Sequence, residues 1–135
     1  MSGQSIAVDS SALVAIILGE PEREAFVDCI LDSEQVLITT ATLLETRIVL
    51  YNRKQYPGIT KLNEFLAQAP VFYVEPDISM IELAFNAFLF YGKGHGHKTQ
   101  LNLGDLFSYA LAKSRGIPLL FKGEDFALTD VVSAV

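Results

Sequence analysis

Ser5-Ile6-Ala7-Val8-Asp9-Ser10-Ser11-Ala12-Leu13-Val14-Ala15-Ile16-Ile17-Leu18 holds two apolar runs separated by three polar residues. The first run has the length of a short buried strand, and the second reads as an apolar helix through Leu18. Asp9 or Ser10 supplies the side-chain oxygen that caps the free N–H groups at the start of that helix. A strand, an acid at its end and a helix make the first unit, and the rest of the chain repeats the alternation.

Gly19-Glu20-Pro21 breaks the helix, and the mixed pattern of residues 22–31 restarts it. Val36-Leu37-Ile38-Thr39 is a second strand. Residues 41–53 carry apolar side chains at helical spacing, and a further helix over 59–68 follows a Pro57-Gly58 turn. Val71-Phe72-Tyr73-Val74 is a third strand, after which Asp77 or Ser79 starts a helix through Phe90. Gly92-Lys93-Gly94-His95-Gly96-His97 is a loop, because glycine alternates through it. Asn102 caps a helix ending near Gly116. Ile117-Pro118-Leu119-Leu120-Phe121 is a fourth strand, with proline at its start where a missing N–H is tolerated, and Val131-Val132 adds a short fifth. Strands alternating with helices, without repeat or linker, predict an α/β fold in which residues 1–135 form a single domain. Its architecture is a three-layer α/β/α sandwich with a central parallel sheet of four to five strands. Ligands in such folds bind beyond the carboxyl ends of the strands.

Composition bounds the partners. Half the residues are hydrophobic and the mean hydropathy is +0.33, apolar for a soluble protein, which points to a surface covered by a partner. The run from Ala12 to Leu18 is too short to span a bilayer and the N-terminus lacks the charge of a secretory signal, so a cytoplasmic protein without membrane contact is expected. Cys29 is the sole cysteine, which excludes an internal disulfide and a thiolate metal site. It shares a helical face with Phe26 and Ile30 and is expected in the core. The net charge of −6 disfavours binding to phosphate backbones unless converging acids hold divalent cations that reverse the sign locally.

Four acids stand where such a site would form. Asp9 follows the first strand, Asp125 lies after the fourth, and Asp105 falls in the first turn of the Asn102 helix. Glu45 has Ala41, Ile48 and Val49 as its helical neighbours, an apolar face on which an unpaired carboxylate is costly. Each has a plainer explanation, as a cap, a helix-dipole partner, an Asx turn or a solvated residue. If they converge, oxygen-only ligands select Mg²⁺ or Mn²⁺, and the chemistry such ions support is phosphodiester hydrolysis.

Over nearly its whole length the chain resembles a PIN domain of the VapC type. The matching pieces are Ile6-Ala7-Val8-Asp9-Ser10-Ser11-Ala12-Leu13, Thr42-Leu43-Leu44-Glu45, Tyr91-Gly92-Lys93-Gly94-His95 and Leu101-Asn102-Leu103-Gly104-Asp105. Tyr109-Ala110-Leu111-Ala112, the segment Pro118-Leu119-Leu120-Phe121-Lys122-Gly123-Glu124-Asp125-Phe126 and Thr129-Asp130 complete them. The resemblance implies an α/β/α sandwich and an active site in which Asp9, Glu45, Asp105 and Asp125 form the metal site, with Asp9 and Asp105 matching the usual direct ligands. It also implies a Mg²⁺-dependent endoribonuclease, the toxin of a toxin–antitoxin pair, neutralised by a cognate antitoxin and often homodimeric. Leu106 stands where the family frequently has cysteine, a difference expected to alter packing more than chemistry.

Ser10 and Asn102 are candidates for orienting the acids, although helix capping explains both equally well. Lys93, His95 and Lys98, with His97, form the densest basic stretch and are candidates for RNA contact; two imidazoles alone make a weak transition-metal site. Phe85, Phe88, Leu89, Phe90 and Tyr91 fit core and dimer packing better than base stacking. Two rival functions use the same features. A phosphoaccepting receiver domain shares the architecture, and Lys122 mimics its lysine, but Asp9 lacks an acidic neighbour and no aspartate directly follows Val74. A non-catalytic interaction module would use the apolar surface and leave the acids without a chemical role.

Overall fold

In the computed structural model, which describes residues 3–92 and 100–135, the four strands form one parallel sheet in the order β3-β2-β1-β4. The strands are β1 (Ser5–Val8), β2 (Gln35–Thr39), β3 (Val71–Val74) and β4 (Leu119–Leu120). The helices are α1 (Ser10–Leu18), α2 (Arg23–Asp32), α3 (Thr40–Gln68), α4 (Ile78–Tyr91) and α5 (Leu103–Arg115). Successive strand side chains point to opposite faces, and the sheet sorts its core accordingly. Ile6, Val8, Val36, Ile38 and Leu120 pack with α1, α2 and α3, whereas Ala7, Leu37 and Leu119 pack with α4 and α5. These are the three layers of an α/β/α sandwich. The strand order reverses between β1 and β4, so the carboxyl ends of those two strands frame the crevice where parallel sheets bind ligands.

Local chemistry explains the boundaries. Asp9, Asp77 and Asn102 each accept a backbone N–H of the helix they precede, and α1 and α5 end on Gly19 and Gly116 with φ of 69° and 63°. Those left-handed conformations cost glycine nothing, and they let its N–H return to the last turn.

Three expectations are corrected. The break between the two helical segments of residues 41–68 lies at Gln55, with φ 56° and ψ −152°, ahead of the Pro57-Gly58 pair. Pro57 instead opens the second segment, where its missing N–H forfeits no helical bond. Gly58 lies where a Cβ would stand 3.1 Å from the Leu50 carbonyl oxygen, so the chain closes tightly over the kink. Residues 131–132 add no strand: Leu119 donates to Val132 O at 2.8 Å and Ala134 donates to Leu119 O at 3.0 Å, a single bridge at the sheet's edge. Phe88 and Tyr91 pack against the core as their spacing predicts, whereas Phe85, Leu89 and Phe90 are exposed, because α4 meets α5 through Met80, Ala84 and Ala87. Cys29 is half-buried at the rim of the core beside fully buried Ile30. Among the described residues no helix is long and apolar enough to cross a membrane.

Candidate active site

Asp9 emerges from β1 at the crevice and is only 1% exposed. Its Oδ2 accepts the Ser11 N–H at 3.0 Å, which caps α1, and its Oδ1 accepts the Ser108 hydroxyl at 2.5 Å. Capping therefore describes half of what this carboxylate does. Behind Ser108 lies a chain of buried hydroxyls: Thr42 Oγ1 is 3.3 Å from Ser108 Oγ, and Thr39 donates to Thr42 Oγ1 at 2.9 Å. Ser108 spends its single proton on Asp9, so Thr42 must donate to Ser108. All three protons then point toward the carboxylate, an arrangement in which each bond polarises the next.

Glu45 reaches the same crevice from α3. Its Oε1 accepts the Ser10 hydroxyl at 2.9 Å, and its carboxylate lies against Gly104, where a Cβ would collide with both oxygens. The buried stripe of α3 at this level is Thr42, Thr46 and Leu50, while Ile48 is 52% exposed, so Glu45 flanks the buried face instead of lying on an apolar one. Threonines can line that face because their hydroxyls are satisfied internally, as where Thr46 donates to Thr42 O at 2.7 Å. Burial pushes the Glu45 carboxyl above its usual range; the Ser10 bond opposes this and the charge on Asp9 adds to it.

Asp105 sits in the first turn of α5 in a reciprocal capping box. Its Oδ2 accepts the Asn102 N–H at 3.0 Å, and its own N–H donates to Asn102 Oδ1 at 2.9 Å. Burial raises its carboxyl to about 7; the Asn102 N–H opposes the shift, and the charges of Asp9, Asp125 and Glu45 reinforce it. Asp105 thus feels the other three acids, which like charges make unfavourable without a cation. Asp125 is exposed, at the start of the 3₁₀ turn Phe126–Leu128, and makes no capping bond there. Among the described residues no three acidic, histidine or cysteine side chains close around one point. Asp9, Glu45 and Asp125 nonetheless act electrostatically on Asp105 at the carboxyl edge of the sheet.

Lys122 is committed elsewhere, with its ammonium 2.8 Å from Glu20 and 3.2 Å from Glu22, which removes the resemblance to a receiver lysine. Lys93, His95, His97 and Lys98 lie outside the described residues. Sequence reasoning missed Ser108, Thr42 and Ser11. The available signal was Ser108 itself, a polar residue one turn beyond Asp105 on a helix that continues Tyr109-Ala110-Leu111-Ala112.

Residues 6–132 match the family described as PIN domain. The chain is 46% identical over 126 residues to a protein named Ribonuclease VapC from Mycolicibacterium smegmatis, an alignment covering 93% of this chain and 97% of that relative. Its fold superposes with a TM-score of 0.76 on the crystal structure of VapC20 from Mycobacterium tuberculosis, described as a sarcin-ricin loop cleaving toxin. That match has 18% identity and covers 94% of this chain and 96% of the other. A toxin–antitoxin complex from Klebsiella pneumoniae contains a chain of TM-score 0.69 at 17% identity, with 96% of this chain and 98% of that one covered. The two structures establish likeness of fold, and the family rests on the sequence matches: the chain belongs to the PIN-domain family and, within it, to the VapC ribonucleases.

Proposed function

We propose that the protein is a Mg²⁺-dependent endoribonuclease, with Mn²⁺ as a substitute, acting as the toxin of a VapBC-type toxin–antitoxin module. The observation that carries the reading is Asp105, half-buried and within the field of Asp9, Glu45 and Asp125, with no cationic side chain among the described residues opposing them. The donors are all oxygen, and the hydrogen bonds that the Asp9 carboxylate makes with Ser11 and Ser108 are both donated to it, which suits hard divalent ions. Asp9 and Asp105 would hold the ion, with Glu45 and Asp125 flanking it. A set of acids that does not close around one point fits Mg²⁺, which keeps several waters and needs only one or two carboxylates from the protein. When bound, the ion supplies positive charge to the scissile phosphate and makes water a stronger nucleophile.

The chain's own residues prepare that chemistry. The Thr39–Thr42–Ser108 hydroxyls hold Asp9 in one orientation, and the capping box does the same for Asp105. Glu45, fixed by Ser10 and seated on Gly104, is placed to accept a hydrogen bond from the attacking water. Lys93, His95 and Lys98 are proposed to meet RNA phosphates, which offsets the net charge of −6. Exposed Leu44, Ile48 and Leu103 flank Glu45 and Asp105 along their helices and suit an apolar segment of an antitoxin, whose basic tail would enter the acids. Exposed Phe85 and Leu89 suit a homodimer. Its substrate places the enzyme with the RNA of the cytoplasm.

Incubating the purified chain with total RNA tests the reading. Cleavage is expected with Mg²⁺, is expected to stop with EDTA and to return with excess Mn²⁺. Cleavage that persists in EDTA would contradict metal dependence, and none under any condition would favour a non-catalytic interaction module.

A further inference from the structure

Asp125 is the least restrained of the four acids, and the loop that carries it is anchored at two points. One is Phe126, buried and 5.2 Å from the Phe121 ring. The other is Asp130, whose Oδ1 accepts the Tyr109 hydroxyl at 2.6 Å and whose Oδ2 lies 3.0 Å from the Lys113 ammonium. Between them Thr129 closes the turn onto Phe126 O through both its N–H and its hydroxyl, at 3.0 and 2.7 Å.

The second anchor has a specific geometry. Asp105, Tyr109 and Lys113 recur at one-turn spacing, so they form a single stripe along α5. Both oxygens of Asp130 are thereby bound to the helix that carries Asp105. Tyr109 is 7% exposed, and burial together with Asp130 raises its phenol, which keeps the hydroxyl a donor. Burial alone would raise the Asp130 carboxyl, but Tyr109 and Lys113 outweigh it and hold it low. The Lys113–Asp130 pair is substantially exposed, and such pairs add little to global stability. Its evident effect is local: it joins the last loop to α5.

We propose that Asp130 is a positioning residue that, through Tyr109 and Lys113, holds the loop bearing Asp125 in register with Asp105 and thereby sets the spacing of the outer acid of the metal site. The inference rests on the metal-dependent reading above. It assigns a task to the Thr129-Asp130 pair, which that reading leaves unused.

Two measurements test it on the full chain. Amide hydrogen exchange on metal-free protein is expected to show residues 126–129 exchanging about tenfold faster in Tyr109→Phe and Asp130→Ala, with α5 unchanged. Calorimetric titration with Mn²⁺ is expected to show affinity falling about tenfold in the same variants, the lower end of what outer partners of metal ligands cost. In an Asp125→Asn background the same changes are expected to cost nothing further, since Asp130 acts through Asp125. Unchanged exchange, or an equal loss of affinity with and without Asp125, would overturn the proposal. Faster exchange in a protein whose unaltered form binds no Mn²⁺ would overturn the metal reading itself, and the assigned role of Asp130 with it.

Discussion

Asp105→Asn is expected to reduce RNA cleavage by about a hundred- to a thousandfold, the scale of losing one preorganised electrostatic contributor. The substitution keeps the shape of the side chain and an oxygen that can still accept the Asn102 N–H, so the capping box survives. It removes one of four mutually repelling charges, and the metal-free variant is therefore expected to melt no lower than the unaltered chain. Asp9→Asn should reduce cleavage at least as much, but less cleanly. Asp9 accepts on both oxygens, and an amide nitrogen facing Ser11 N–H or Ser108 would forfeit one bond, at about 1–3 kcal/mol for a buried group. Cleavage near the unaltered rate in Asp105→Asn, measured at saturating Mg²⁺, would remove this residue from the site.

Gly104→Ala is expected to lower cleavage by about a hundredfold, the cost of misplacing a reacting group by about an ångström. A methyl group at this position runs into both oxygens of Glu45. Gly104 lies in the first turn of α5, where alanine suits a helix better than glycine by about 1 kcal/mol, so the backbone itself does not object. Stability is therefore expected to change little while activity falls. Adding Gly104→Ala to Glu45→Gln should cost less than either change alone, because both act on the same carboxylate. Full activity in Gly104→Ala would show that the position of Glu45 does not matter.

The sheet and its helices were legible because short apolar runs alternate with helical patterns, and the first run ends in a polar cap, as Ile6-Ala7-Val8-Asp9 shows. Positions at strand ends and in first helical turns follow from that order, so Asp9 and Asp105 were placed near the crevice by local pattern alone. What escaped depended on partners distant in sequence. Ser108 faces Asp9 across 99 positions, so its place one turn beyond Asp105 was a signal without a visible partner. The inward face of α3 was misjudged because Thr42 and Thr46 bury hydroxyls that find partners only in the folded chain, which leaves apolar Ile48 outside. Pro57-Gly58 is the obvious breaker in the sequence, whereas the positive φ falls on Gln55, a residue that nothing in its type marks for that conformation. The tie from Tyr109 to Asp130 was invisible for the same reason as Ser108.

The chemical ends of the cleaved RNA test the central claim most directly. The sequence holds two histidines, His95 and His97, both within one short glycine-rich stretch, so the proposed route relies on the acids rather than an imidazole pair to activate the nucleophile. On that route water would be the nucleophile and the 3′ oxygen would depart. Cleavage of a defined RNA by the purified chain in Mg²⁺, with both fragments analysed by mass spectrometry, is predicted to yield a 5′-phosphate downstream and a 3′-hydroxyl upstream. A 2′,3′-cyclic phosphate as the direct product would contradict the account.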